Sequence, residues 1–174
     1  MQRWSAMTTA QQRLPLLLAD HHRRLDSRCE ALLECAYADD ARGLVTGWRE
    51  LEPELLEHMA QEEATILPRY AAFAPDDAGR IRAEHAQIRA LIAALALDIS
   101  RAQLRCAMLR ELVDLLRRHA RSEEEHMYAW AQRNLTQRTS RSLFALVCQW
   151  FGVASNEGMQ RGAELHERAD NVAC

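Results

Sequence analysis

Histidine and glutamate recur along this chain at spacings that suit metal binding. Two segments share the pattern His-x-x-x-Glu-Glu, HMAQEE at 58–63 and HARSEE at 119–124. On a helix, residues four apart lie one turn apart on the same face. An imidazole can then bind one metal ion while the carboxylate one turn away bridges to a second, and this ligand pair suits iron. The repeated segment therefore predicts a site for two metal ions.

Two single histidines complete the repeat. His22 precedes His58 by 36 residues and His85 precedes His119 by 34, so the first half of the chain resembles the second. A lone histidine is more often an ordinary core or surface residue. Here, however, polar residues interrupt the apolar face of each of four predicted helices at one level. Burying a polar side chain is costly unless it has a hydrogen-bond partner or a metal ion to bind. The predicted metal ligands are His22, His58, Glu62, His85, His119 and Glu123.

The elements that position these residues are predicted to be helices, because apolar residues recur around them at steps of three and four. Four helices are expected, at about 11–38, at about 40–70, after Asp76 as a candidate N-cap, and at about 101–134. Pro53 predicts a kink or a restart in the second helix, and Pro68 a bend or an end near its C-terminus. Short connections between long helices indicate an all-α, up-down-up-down four-helix bundle.

The chain is expected to form one bundle domain, residues 11–134, followed by a C-terminal extension, residues 135–174. The extension is predicted to hold a short apolar helix at about 141–153 and then a flexible tail. The apolar run LFALVCQWFGV at 143–153 is too short to span a bilayer. It is apolar enough to cap the bundle or to form a homodimer contact, so a homodimer is expected in preference to membrane binding.

The composition agrees with a helical protein and excludes several classes of function. Apolar residues make up 48% of the chain while Gly (6) and Pro (4) are scarce, which disfavours a sandwich, a barrel or disorder. A net charge of -3 with interspersed signs leaves no basic stripe for nucleic acid. Five widely spaced cysteines without a C-x-x-C motif fit reduced thiols, and no signal peptide is recognisable, so a cytoplasmic location is expected.

Four segments together resemble the hemerythrin-like, or HHE cation-binding, family. They are DHHRRLD (20–26), HMAQEEATILPRY (58–70), EHAQIRALI (84–92) and HARSEEEHMYAW (119–130), within a resemblance that covers about residues 14–132. The resemblance implies a four-helix bundle with a di-iron centre that interacts with oxygen or nitric oxide. It also implies that the six predicted ligands hold the metals, with Glu62 and Glu123 as the bridging carboxylates.

One position departs from the pattern of the oxygen-carrying hemerythrins. Those proteins have a second histidine four residues after the third-helix ligand, and here that position is Arg89. The departure implies that one iron is more open, or that water or another carboxylate fills the place. The ligand set is closer to that of hemerythrin-like proteins associated with the repair of iron–sulfur centres and with nitrosative stress.

Several residues beside the predicted ligands have roles that the sequence leaves open. His21 is interpreted as a surface residue or a hydrogen-bond partner of the site, because its helix face leaves the apolar stripe early; the alternative is that His21 is itself the ligand. His126 is interpreted as a polar core residue bonded to a ligand carboxylate. Glu124 competes for the role of carboxylate ligand, since oxygen-carrying hemerythrins place theirs five residues after the fourth-helix histidine. Tyr70 and Tyr128 are interpreted as residues at the edge of the core, with the role of hydrogen-bond donors near the site as the alternative.

The leading functional hypothesis is a di-iron protein that binds, senses or detoxifies a small oxidant such as oxygen, nitric oxide or peroxide, although manganese or zinc suits the same ligands. The second hypothesis is a protein that stores or donates iron for the repair of iron centres. The third is a metal-independent helical interaction module. Nothing in the sequence identifies an organic substrate, because it has no nucleophile with a paired base and no Gly-rich phosphate loop.

Overall fold

The computed structural model of this chain describes residues 10–101 and 106–150, and within them the secondary structure is helical, without a strand. The predicted all-α class is therefore confirmed. The elements are α1 (Ala10–Tyr37), α2 (Ala41–Ala64), α3 (Ile66–Ala71), α4 (Pro75–Ser100), α5 (Cys106–Glu123), a π-helical segment (Glu124–Tyr128), α6 (Ala129–Asn134) and α7 (Gln137–Trp150). Among these, no helix is both long enough and apolar enough to cross a bilayer.

The four long helices pack side by side around one core. Helix α1 packs against α2 and α5, and α4 packs against the same two helices, so each long helix has two long neighbours. The core consists of two apolar clusters. On α1, Leu18 belongs to one cluster and Leu25 to the other, with the buried His22 between them. On α4 the buried His85 likewise lies between Ile81 of one cluster and Ile88 of the other, so a layer of polar residues separates two apolar layers.

Of the two prolines in the second predicted helix, Pro68 is linked to an interruption and Pro53 is not. Helix α2 continues through Pro53, so the predicted restart there is wrong. The interruption lies at Thr65, whose φ of -122° is not helical. Pro68 explains it, because proline has no N–H to donate to the carbonyl of Ala64 four residues earlier and its ring clashes with that carbonyl. Helix α3 then starts at Ile66, which places Pro68 in its first turn.

Helix α4 begins one position earlier than the proposed N-cap. Its first residue is Pro75 and its N-cap is Ala74, so the expectation that Asp76 caps this helix is wrong. Proline suits the first helical position because the N–H that it lacks would have no partner there. Asp76 and Asp77 lie in the first turn instead, where a negative charge is favourable beside the positive end of the helix dipole.

The predicted C-terminal helix exists and begins earlier than expected, at Gln137. Its apolar residues Leu143, Phe144, Val147 and Cys148 are buried in the same cluster as Leu14 and Leu18 of α1. Much of the apolar run that predicted a homodimer is therefore covered by the chain's own bundle. Residues 151–153 and the predicted tail lie outside the described residues. The homodimer and the division into residues 11–134 and 135–174 stay predictions.

Candidate metal centre

All six predicted ligands are buried and meet in the polar layer of the bundle. His22 of α1 is the most exposed of them at 8%, whereas His85 of α4 and Glu123 of α5 are fully buried. The imidazoles meet in pairs across the helices. The Nε2 atoms of His22 and His58 are 3.1 Å apart, and those of His85 and His119 are 3.0 Å apart.

The two histidine pairs share both carboxylates. One group of potential ligands is His22, His58, Glu62 and Glu123, and the other is Glu62, His85, His119 and Glu123, with the ligand atoms of each group within 4.8 Å of one another. Glu123 turns Oε2 to His22 Nε2 at 3.4 Å and Oε1 to His119 Nε2 at 3.3 Å. The arrangement could therefore hold a metal ion in each of two adjacent groups, which share both carboxylates.

The residues fit a metal because the arrangement is unfavourable without a cation. Glu62 Oε2 and both carboxylate oxygens of Glu123 are buried and have no hydrogen-bond partner among the described residues. Each ligand histidine has a polar partner at Nδ1, which directs the lone pair of its Nε2 into the layer. Two imidazole lone pairs 3.0 Å apart repel each other, and a cation between them and the carboxylates removes that cost.

When no metal is bound, protons compensate part of the negative charge in this layer. Burial and the negative charge of Glu123 raise the pKa of Glu62 to about 8. Burial alone would lower the pKa of His22, but the nearby carboxylates of Glu123 and Glu124 outweigh burial and raise it to about 9. Burial would likewise raise the pKa of Glu123, yet the neighbouring His119 and His22 hold it well below its usual range. Metal binding must therefore displace protons from this layer.

The outward-facing nitrogens of the ligand histidines are held by a second set of side chains. His85 Nδ1 donates to Glu63 Oε1 at 2.8 Å, and His119 Nδ1 donates to Glu84 Oε2 at 2.7 Å. His22 Nδ1 donates to Glu124 Oε1 at 3.0 Å. Such bonds fix the ring orientation and raise the basicity of the metal-binding nitrogen. Glu124 therefore orients a ligand in this structure, while Glu123 is the carboxylate that faces the other ligands.

Arginines support two of these outer carboxylates. Arg89, which stands where a fifth histidine would be, donates from both terminal nitrogens to the two carboxylate oxygens of Glu63, at 2.8 and 2.9 Å. Arg80 donates to Glu84 at 2.6 Å. Arg89 therefore stabilises the carboxylate that orients His85. Its guanidinium has no lone pair to offer a metal, so it does not replace the missing histidine as a ligand.

His21 is more buried than its sequence position indicates. It is 2% exposed, which makes the surface interpretation wrong and the hydrogen-bond interpretation correct. Its Nδ1 lies 3.2 Å from His58 Nδ1, and its Nε2 donates to Glu54 Oε1 at 3.1 Å. Burial and then Arg24 lower the pKa of His21 to about 3, so the neutral ring can accept the proton of His58 Nδ1. His21 thus orients the ring of His58 through a hydrogen bond, as Glu124, Glu63 and Glu84 orient the rings of the other three histidines.

A first prediction concerns this orienting role. His21→Gln should lower the affinity for metal at the group that contains His22 and His58 by about 10- to 100-fold. This is the usual cost of losing an outer hydrogen-bond partner of a metal ligand. His126→Gln is the matched control, because His126 is exposed and bonds only locally, to Ser122 O at 2.8 Å. Metal titration of both variants checks the prediction, and equal affinities in the two would contradict it.

The π-helical segment changes which residues face the site. Regular α-helical spacing placed His126 on the buried face, and that interpretation is wrong because His126 is exposed. The wider turn at Glu124–Tyr128 brings Met127 and Tyr128 inward instead. Tyr128 is 1% exposed and its hydroxyl donates to Glu62 Oε1, so it lies inside the site and not at the core edge. Tyr70 is also buried, but its hydroxyl donates to Asp77.

A cavity of about 190 Å³, partly open to solvent, reaches the site between α1 and α5. Three ligand histidines contribute to its lining, His22, His58 and His119. Its apolar lining includes Leu25, Leu55, Met59, Leu116 and Ala120. Burial, and next Asp26, raise the pKa of Cys29 to about 12, so the cysteine in this lining is an uncharged thiol at neutral pH. The cavity is large enough for a small molecule to approach the metal positions.

Fold and site together define a helical protein whose buried histidines and shared glutamates could hold metal ions. The comparison with protein families agrees. The family model described as "Hemerythrin HHE cation binding domain" matches residues 16–131, more than half of the chain, and the chain belongs to this family. The resemblance predicted from the sequence is thereby confirmed. No curated protein and no solved structure matches the chain.

Proposed function

We propose that this chain is a non-haem di-iron protein that binds a small oxidant, namely oxygen, nitric oxide or peroxide, and senses or removes it. The observation that carries the proposal is the pair of histidine groups that share Glu62 and Glu123, because four imidazoles and two shared carboxylates suit two adjacent iron ions. Bound iron would supply redox and Lewis-acid chemistry. The protein holds the ligands and controls what reaches them.

The cavity supports a small uncharged ligand. An uncharged molecule loses little on leaving water for the leucine, methionine and alanine side chains of this lining, which also includes charged side chains, Arg23, Asp26, Arg117, Arg121 and Glu124. Oxygen, nitric oxide and hydrogen peroxide are all small and uncharged. The apolar part of the lining therefore suits these oxidants.

The ligand count supports reaction over simple carriage. Arg89 is engaged with Glu63 and offers no metal ligand, so we propose six protein ligands, His22, His58, Glu62, His85, His119 and Glu123. Six side chains leave coordination positions for an external molecule.

Two further expectations belong to the same proposal. The four long helices run up-down-up-down, as their short connections predict. The protein works in a cytoplasm, in keeping with its free cysteines at positions 29, 35, 106 and 148.

The decisive experiment is anaerobic loading with ferrous iron followed by rapid mixing with oxygen, nitric oxide or hydrogen peroxide. We expect two irons per chain and a change in the visible spectrum with at least one of the three. Zinc-loaded protein is the control, because zinc fills the same ligands without redox chemistry. Iron that passes to an added acceptor, with no spectral response to any oxidant, would support iron donation and contradict the proposal.

A second prediction tests the cavity as the route to the metals. Ala120→Leu adds apolar volume to the lining and should slow the spectral response to nitric oxide by about tenfold or more, while the iron content stays at the wild-type value. Ala107→Leu is the matched control, because Ala107 is exposed on the same helix, α5. Stopped-flow rates decide the matter, and equal rates in both variants would show that the oxidant enters elsewhere.

A further inference from the structure

The two shared glutamates do not face the histidines in the same way. Glu123 directs different oxygens to the two histidine pairs, Oε2 to His22 and Oε1 to His119. Glu62 directs a single oxygen to both pairs, since its Oε2 lies 3.5 Å from His58 Nε2 and 3.6 Å from His85 Nε2. Glu123 would therefore offer bound metals two oxygens, one at each histidine pair, whereas Glu62 would offer a single oxygen to both.

The second oxygen of Glu62 is occupied by Tyr128. The Tyr128 hydroxyl donates a hydrogen bond to Glu62 Oε1 inside the fully buried layer. The same hydroxyl lies 3.3 Å from His22 Nε2, and the phenol ring stacks on the His22 imidazole with 5.4 Å between ring centroids and 20° between planes. Tyr128 is therefore held on two sides and cannot leave Glu62 without breaking its packing against a ligand.

The other shared glutamate has no such partner. Neither oxygen of Glu123 accepts a hydrogen bond from any described residue, and Glu62 Oε2 accepts none either. The π-helical segment is what makes the difference, because Tyr128 ends it and the wider turn carries the phenol into the layer. π-helical turns occur frequently at functional sites.

We propose that Tyr128 is a positioning residue that restricts Glu62 to one metal-facing oxygen and thereby keeps a coordination position available for an external ligand. This inference rests on the proposed di-iron function and names a residue that regulates the same site. A carboxylate that gives one oxygen instead of two leaves one more position on the metals. Without the phenol hydroxyl, Glu62 Oε1 has no hydrogen-bond donor and is free to bind metal itself.

The test uses the full chain loaded with iron, oxidised to the ferric state, and titrated with azide, a small anion that binds ferric iron without redox chemistry. Tyr128→Phe should keep the wild-type iron content but bind azide about tenfold more weakly, a change comparable to one hydrogen bond to a charged group. The infrared carboxylate bands of the variant should shift towards those of a carboxylate that binds through both oxygens. Tyr70→Phe is the matched control, because the Tyr70 side chain is also buried but its hydroxyl donates to Asp77 and not to a predicted ligand.

Three results would overturn the proposal. The first is azide affinity and carboxylate bands in Tyr128→Phe that equal those of the wild type. The second is loss of iron from Tyr128→Phe, which would make the tyrosine necessary for holding metal. The third is wild-type protein with two irons and no azide binding, which would mean that no position is open. A wild type that binds azide but ignores oxygen, nitric oxide and peroxide would defeat the proposed function alone.

Discussion

Glu123→Gln is expected to abolish binding at both metal positions, with a loss of affinity of more than about 100-fold, the upper end of what losing an outer partner costs. Both oxygens of this fully buried side chain face ligand histidines, one toward each pair. Glutamine has the same shape but no charge, and its amide N–H groups can donate to the imidazole lone pairs that the metals need. The substitution therefore removes one ligand from each position and blocks the others.

The measurement is metal content after dialysis against a chelator of known strength, supported by titration with zinc and with ferrous iron. Glu125→Gln is the matched control, because Glu125 lies two residues away, is exposed, and undergoes the same change of charge. The control should keep both metals at wild-type affinity. Two tightly bound metals in Glu123→Gln would show that Glu123 is not a shared ligand.

Removing the metals is expected to lower the melting temperature by about 10–20 °C. Each site contributes about 2.7 kcal/mol when free metal exceeds its dissociation constant a hundredfold, so two sites contribute about 5 kcal/mol. For a chain of this size, each kcal/mol corresponds to about 2–4 °C. The physical cause is the layer itself, in which Glu62 and Glu123 lie buried near each other and only protons compensate their charge when no metal is bound.

Calorimetry with and without a chelator checks this expectation. The double variant Glu62→Gln/Glu123→Gln is the informative comparison, because its two amides stay neutral with and without metal. Its melting temperature should not respond to metal, and it should equal or exceed that of the metal-free wild type, since replacing a poorly compensated buried charge is often neutral or stabilising. A wild type that melts at the same temperature with and without metal would favour the metal-independent interaction module.

The meeting of the six predicted residues could be predicted from the sequence, because the spacing within each helix determines which side chains share a face. A histidine and a glutamate four residues apart on an apolar face must point the same way. Ile81, Ile88 and Ile92 flank His85 at the same period, and all of them are buried as the pattern requires. The single polar level in each helix then predicts that the interruptions meet. The structure brings together all six predicted residues for this reason.

The outer partners could not be predicted in the same way. His21 and His22 are neighbours that point about 100° apart on an ideal helix, and a single apolar stripe has room for only one of them. Helix α1, however, packs against α2 on one side and α5 on another, so both side chains are enclosed. Which neighbours a helix has depends on residues far away in the sequence, so the apolar stripe of one helix does not predict them.

The sequence by itself determined the helical class, the level of the polar layer and the metal-binding residue types, because these depend on spacing within each helix. Only the tertiary structure decided how the layer is completed. The π-helical turn after Glu123 exposes His126 and buries Tyr128, and no residue type in Glu124–Tyr128 predicts that one wider turn. Such a turn weakens local hydrogen bonding slightly and is stabilised by what its side chains reach across the bundle, here the Tyr128 hydroxyl at Glu62.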